Sequence, residues 1–226
     1  MPEPANTPQL NGERIAVIVE NKFIPEEIEA YRSGFALLGA EVEFVSRIWY
    51  GDYRPKSATF YSDVDPLDDA PWESPHRLEV GRDISTLRIG EHAAVIMSAN
   101  YTSVRLRQAD LPQDLAQFNA RELVRSAPVP RFFAELMAEP KVVKGALCHG
   151  LWILAPYPEL LRGRRVVCHP VVMADILNCG AEIVVDATRV VTDRDLVTGF
   201  SKHEVVPFIA AVARQIAALQ PSRQSP

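Results

Sequence analysis

Short apolar runs alternate along this chain with longer stretches in which apolar side chains recur every three or four residues. Residues 14–19 (RIAVIV) read as a buried strand, and residues 25–39 follow with Ile28, Tyr31, Phe35 and Leu38 at helical spacing. Gly39 stops that helix, and residues 41–46 (EVEFVS) read as the next strand, which completes a βαβ unit. Residues 48–90 break the rhythm, with Pro55, Pro66, Pro71 and Pro75 set among Trp49, Tyr50, Tyr53, Phe60, Tyr61 and Trp72. A structureless loop of that length is unusual in a compact domain, so the segment is expected to be an insertion of short strands or a hairpin, possible as a subunit contact.

The alternation resumes with a strand at 93–97, helices at 113–125 and 129–138, and a strand at 141–147. A helix after Cys148, from Leu151 to about Leu161, is expected next, then a strand at 165–168, a helix at 171–178 and short strands near Glu182, Val190 and Leu196. The last helix carries Val205, Phe208, Ile209, Val212, Ile216 and Leu219 on one face and tolerates Pro207 in its first turn. Strands alternating with helices predict an α/β fold with a mainly parallel sheet covered on both sides. Ligands of such sheets sit at the carboxyl ends of strands, where Cys148 lies.

Composition narrows the function classes. The 226 residues, 47% hydrophobic and 23% charged, fit one globular domain over 14–220, with residues 1–13 and 221–226 expected to be disordered. A net charge of -5 with scattered Lys and Arg argues against nucleic acid as a partner. No run is long enough to span a membrane, and residues 1–14 lack the basic-then-apolar order of a secretory signal, so a cytoplasmic location is expected. Cys148, Cys168 and Cys179 show no disulfide framework and are expected to be free thiols.

The segment KVVKGALCHGLWIL has the pattern of a nucleophile elbow with cysteine in the serine's place. A sharp turn there exposes the side chain above the sheet, requires a small residue such as Gly150, and aims backbone N–H groups at the sulfur. A following helix would favour thiolate, the nucleophilic form. His149 and His169 could each move a proton near neutral pH, and the residues alone leave open which does. His76, His92 and His203 read as surface or loop residues. The two Cys-His pairs lack zinc-site spacing, and GxGxxG and GxxxxGK[ST] are absent, so no metal and no cofactor is expected.

Taken together, Cys148-His149-Gly150, Leu161-Arg162-Gly163-Arg164-Arg165, Cys168-His169-Pro170, the run DILNCGAE at 175–182 and Leu196-Val197-Thr198 resemble the ThiJ/PfpI superfamily. The resemblance implies a flavodoxin-like, three-layer α/β sandwich that is commonly oligomeric, here a homo-oligomer. It implies a glutamate in the first helix against the elbow cysteine; counting back from Gly39 gives Glu27, with Glu20, Glu26 and Glu29 as competitors. It implies an oxyanion site from backbone N–H groups, placed here at Ala99, Asn100 and His149, although Ser98-Ala99-Asn100 replaces the usual Pro-Gly-Gly-like loop. In PfpI-type members this loop also brings a glutamate to a neighbouring subunit's histidine, and about that position the chain has Thr102, so peptidase activity is doubtful. Arg105, Arg107 and Trp152 are candidate substrate contacts, with a solvated or interface role open for the two arginines. The implied function is a cysteine-dependent enzyme for a small electrophilic carbonyl, amide or nitrile-like substrate, of glyoxalase/deglycase, hydratase or hydrolase type. The alternative is an oxidative-stress sensor or holding chaperone that uses an oxidisable Cys148.

Overall fold

A computed structural model describes residues 7–63, 75–111, 119–184 and 187–220. The elements run β1 (Arg14–Ile18), α1 (Pro25–Leu37), β2 (Glu41–Ser46), β3 (Ala58–Tyr61), β4 (Arg77–Val80), β5 (Arg82–Asp83), β6 (Ala94–Met97), α2 (Thr102–Leu106), α3 (Ala120–Ser126), α4 (Pro128–Leu136) and β7 (Val143–Leu147). They continue with β8 (Arg165–Val166), α5 (Pro170–Asn178), β9 (Glu182–Ile183), β10 (Val190–Asp193), β11 (Leu196–Gly199) and α6 (Val205–Leu219). A seven-stranded sheet has the order β10-β11-β7-β6-β1-β2-β5, parallel throughout except where β10 pairs β11.

The unbroken apolar runs follow from burial on both faces. In β1, Ile15 and Val17 enter one core with Tyr31, Phe35 and Phe208, while Ala16 and Ile18 enter the other with Phe133, Leu136 and Ile176. Helices α1 and α6 thus cover one face, and α4 and α5 the other, giving the expected flavodoxin-like three-layer arrangement. The 48–90 segment supplies β3 and β4, paired antiparallel, and the short edge strand β5; Pro66, Pro71 and Trp72 lie outside the described residues.

Several expectations are corrected. Residues 1–6 and 221–226 lie outside the described residues, but the chain is anchored within 7–13: Leu10 is buried in the core and its N–H donates to Leu38 O. The helix expected after Cys148, from Leu151 to about Leu161, is instead two short 3₁₀ turns, Gly150–Leu154 and Pro158–Leu160. Pro156 and Pro158 lack the N–H groups that an α-helix would need there, and Tyr157 N–H bonds Leu154 O three residues back. Of the helix expected at 113–125, residues 112–118 lie outside the described residues, and α3 starts at Ala120, with the Asn119 side chain accepting from Arg121 and Glu122 N–H. Helix α2 was not anticipated. His92, read as a surface or loop residue, is buried with Nε2 2.8 Å from Glu43.

Candidate functional site

The carboxyl ends of β1, β6 and β7 converge, and the chain leaves β7 through a turn at Cys148. Its N–H still bonds Gly199 O as the last rung of the β7–β11 ladder, yet its φ is 59°, a left-handed conformation unusual for a non-glycine residue. That reversal is the elbow foreseen from the sequence. Gly150 is needed beside it, since a Cβ there would meet Met97 O at 2.9 Å. Cys148 is 6% exposed, and its sulfur lies 3.1 Å from His149 Nδ1.

The sulfur accepts hydrogen bonds from the backbone N–H groups of Asn100 and His149. Asn100 has φ 63°, the left-handed conformation that asparagine tolerates, and its side chain donates to Lys22 O and Asp63. Ala99 N–H is committed elsewhere: it donates to the Glu27 carboxylate at 2.9 and 3.1 Å. The geometry therefore leaves Asn100 and His149, without Ala99, as donors at the sulfur.

Burial dominates the electrostatics. It pushes the Cys148 thiol up to about 12, with the charge of Glu27 adding to the rise and the two N–H groups opposing it. The thiolate expected from a following helix is not favoured, because a five-residue 3₁₀ turn lacks the field of an α-helix. His149 is pushed down to about 4 by burial and by His169. The resting pair is a neutral thiol and a neutral imidazole.

Glu27, among the four candidate glutamates, is the buried residue of α1 that faces this site; Glu26 and Glu29 are exposed. Burial raises its carboxyl to about 7 against the Ala99 N–H bond. No hydrogen bond joins it to the sulfur among the described residues, so the direct donor contact implied by the resemblance is absent, and its influence on Cys148 is electrostatic. Glu20 is also buried, 3.5 Å from Arg105 Nε. Arg105 is 62% exposed along its side chain. Arg107 lies 5.3 Å over the Trp152 ring, and Trp152 Nε1 donates to Asp175 at 2.7 Å. Thr102 is fully buried, its hydroxyl donating to Ser98 and Ala99 carbonyls.

His169 comes from the loop after β8 and brings its ring 4.7 Å from that of His149. Its Nδ1 accepts from Val171 N–H and caps α5. The ligand atoms of Cys148, His149 and His169 lie within 4.8 Å of one another, so these are the described residues able to gather round a metal. The set fits poorly: tetrahedral zinc separates sulfur and nitrogen ligands by about 3.5 Å, more than the Sγ–Nδ1 contact, and His169 Nδ1 already serves the cap.

Three residues passed over in the sequence belong here. Tyr31 is fully buried beside Glu27, and burial together with Glu27 and Cys148 pushes its hydroxyl well above the usual range. Its i+4 spacing from Glu27 on the buried face of α1 was the available signal. Tyr101 stacks on His149 at 5.1 Å, and Phe200 lies 6.2 Å from His169; neither position stands out in the sequence.

A left-handed elbow cysteine above a mainly parallel sheet, beside an imidazole and under a loop that donates N–H groups, defines an α/β protein of nucleophile-elbow type. The chain belongs to the DJ-1/PfpI family: the model of that family matches residues 99–215. No curated protein sequence matches the chain. Among solved structures it is similar to a ThiJ/PfpI domain protein from Brachyspira murdochii, at TM-score 0.68 and 15% identity over 92% of this chain and 98% of that one. It is similar to Drosophila melanogaster DJ-1beta at TM-score 0.66 and 12% identity, over 95% and 99%. It also resembles a two-domain protein from Anabaena variabilis with dj-1/thij/pfpi-like and ferritin-like domains, at TM-score 0.68 and 18% identity over 91% of this chain. The chain spans 48% of that protein's length, and all three likenesses bear on the fold alone.

Proposed function

We propose that the protein is a cysteine-dependent enzyme acting on a small electrophilic substrate, a carbonyl, amide or nitrile-like compound, with Cys148 as nucleophile and His149 as its base. The observation that carries the reading is the elbow itself: Cys148 Sγ sits 3.1 Å from His149 Nδ1 and within reach of two backbone N–H groups. As the sulfur attacks the electrophilic carbon, its proton passes to His149 Nδ1, so no free thiolate has to form in the buried resting site. The Asn100 and His149 N–H groups then lie nearest the developing negative charge. The proton on His149 returns to the oxygen, nitrogen or leaving group that needs it.

The buried sulfur supports a small substrate, and Thr102 in place of a carboxylate supports chemistry other than peptide cleavage. The His149 Nδ1 beside the sulfur supplies a proton acceptor that a nucleophilic step uses directly, which favours catalysis over oxidative sensing or a holding role built on an oxidised cysteine. The test is turnover of methylglyoxal, small amides and small nitriles by wild type and Cys148→Ala. The expected result is one substrate class consumed by wild type, with a loss of at least about a thousandfold in Cys148→Ala. Equal rates for the two proteins would overturn the reading.

A further inference from the structure

His149 meets the sulfur through Nδ1, while its other ring nitrogen, Nε2, is buried with no hydrogen-bond partner among the described residues. A ring held at one atom is poorly fixed, because the torsion that turns an imidazole has broad minima. In a nucleophile–histidine–carboxylate triad the far nitrogen is held by the carboxylate, which sets both orientation and tautomer. Among the described residues no carboxylate reaches Nε2.

The ring is nevertheless enclosed by other rings. Tyr101 stacks on it with centroids 5.1 Å apart and planes 29° apart, His169 approaches at 4.7 Å and 30°, and Trp152 stands 5.6 Å away at 45°. We infer that Tyr101 is a positioning residue: together with His169 it clamps the His149 ring by stacking and does the orienting that a carboxylate does elsewhere. The inference rests on the proposed roles of Cys148 and His149.

The clamp is anchored from behind at each ring. Asn100 turns the chain into Tyr101 in its left-handed conformation and ties the turn to Lys22 O at 2.7 Å. Lys22 Nζ lies 5.8 Å over the Tyr101 ring. His169 is fixed by its bond to Val171 N–H, and Trp152 by Asp175 on one side and Arg107 on the other. Aromatic pairs at these separations attract beyond the area they bury, which favours one ring orientation over its alternatives. The clamp also accounts for how His149 stays neutral. Stacked rings exclude water and supply no full negative charge, so they do not raise an imidazole's pKa as a carboxylate would. With the thiol protonated, S–H donates to Nδ1 and the imidazole proton resides on Nε2.

The experiment compares wild type, Tyr101→Phe and two non-aromatic replacements, Tyr101→Leu and Tyr101→Met. Tyr101 is 39% exposed, and its replacement removes no core side chain. Nitrogen-15 NMR of histidine-labelled protein reads the tautomer and titration of His149, and site-resolved iodoacetamide labelling at neutral pH reads Cys148. Wild type and Tyr101→Phe are expected to show a single Nε2-protonated tautomer that stays neutral down to pH 5. Tyr101→Leu and Tyr101→Met are expected to show mixed tautomers, titration nearer pH 6.5 and roughly tenfold slower labelling of Cys148. Wild-type spectra and labelling in both non-aromatic variants would overturn the inference. Failure of the functional reading looks different: Cys168 or Cys179 is then labelled ahead of Cys148 in wild type, and the NMR comparison still decides whether Tyr101 holds the ring.

Discussion

At the scale of single residues, Glu27 shows how burial governs this site. Its carboxyl is 1% exposed and raised from 4.5 to about 7, mainly because the ionised form loses its water. Below pH 4.5 the carboxyl is protonated in both folded and unfolded chains, and folding pays nothing for it. Between pH 4.5 and 7 the unfolded chain ionises first, so stability falls as pH rises, and above pH 7 the loss is complete, on the order of 3 kcal/mol. Glu27→Gln removes this dependence. Thermal melts at pH 5, 6.5 and 8 are expected to show a gap in favour of the Gln variant that widens with pH; a constant gap would contradict the buried-acid account. Above pH 7 ionised Glu27 also opposes the thiolate of Cys148, so Glu27→Gln is expected to label faster with iodoacetamide at pH 8. Counting back from Gly39, as the family resemblance directs, leads to a glutamate that is buried, but its hydrogen bond was not legible, because the Ala99 N–H that it accepts from comes from a loop 72 residues away.

Elements rather than single groups decide the second case, the foot of β7. Lys144 interrupts an otherwise apolar strand and is almost fully buried, donating to Asp195 at 2.7 Å and to Glu139 O. Arg164, leading into β8, donates to Asp195 at 2.8 Å and to Asp193 at 2.7 Å. One carboxylate in the β10–β11 turn thus holds two cations from two other elements. Asp195→Ala leaves Lys144 and Arg164 buried with a lost partner, and urea denaturation is expected to show a loss of about 3–5 kcal/mol. A change below about 1 kcal/mol would mean that the cations find water instead. Element type was legible wherever periodicity was strong, as in β1, α1, β6, α5 and α6. It failed after Cys148, where apolar spacing suggested a helix although Pro156 and Pro158 already withheld the N–H groups it needed.

For the whole molecule, the 48–90 segment bears on assembly. It places Tyr50, Tyr53 and Tyr61 on the surface at 45%, 70% and 42% exposure, and an aromatic surface of that kind fits a protein contact better than open solvent. Light scattering at micromolar concentration is expected to give a dimer or larger, and a monomer would remove that role for the segment. Among the described residues no helix is long and apolar enough to cross a membrane. What the sequence alone determined was the alternation of strand and helix, the parallel sheet buried on both faces, the elbow at Cys148 and the family resemblance that the match over residues 99–215 bears out. Each of these is written in local periodicity, in turn chemistry or in a string of motifs. Only the tertiary structure decided the protonation of the site, the commitment of Ala99 N–H to Glu27, and the approach of the Tyr101 and His169 rings to that of His149. Those depend on how deeply a group is buried and on which distant segments meet over it, and neither is encoded in the spacing of residues along the chain.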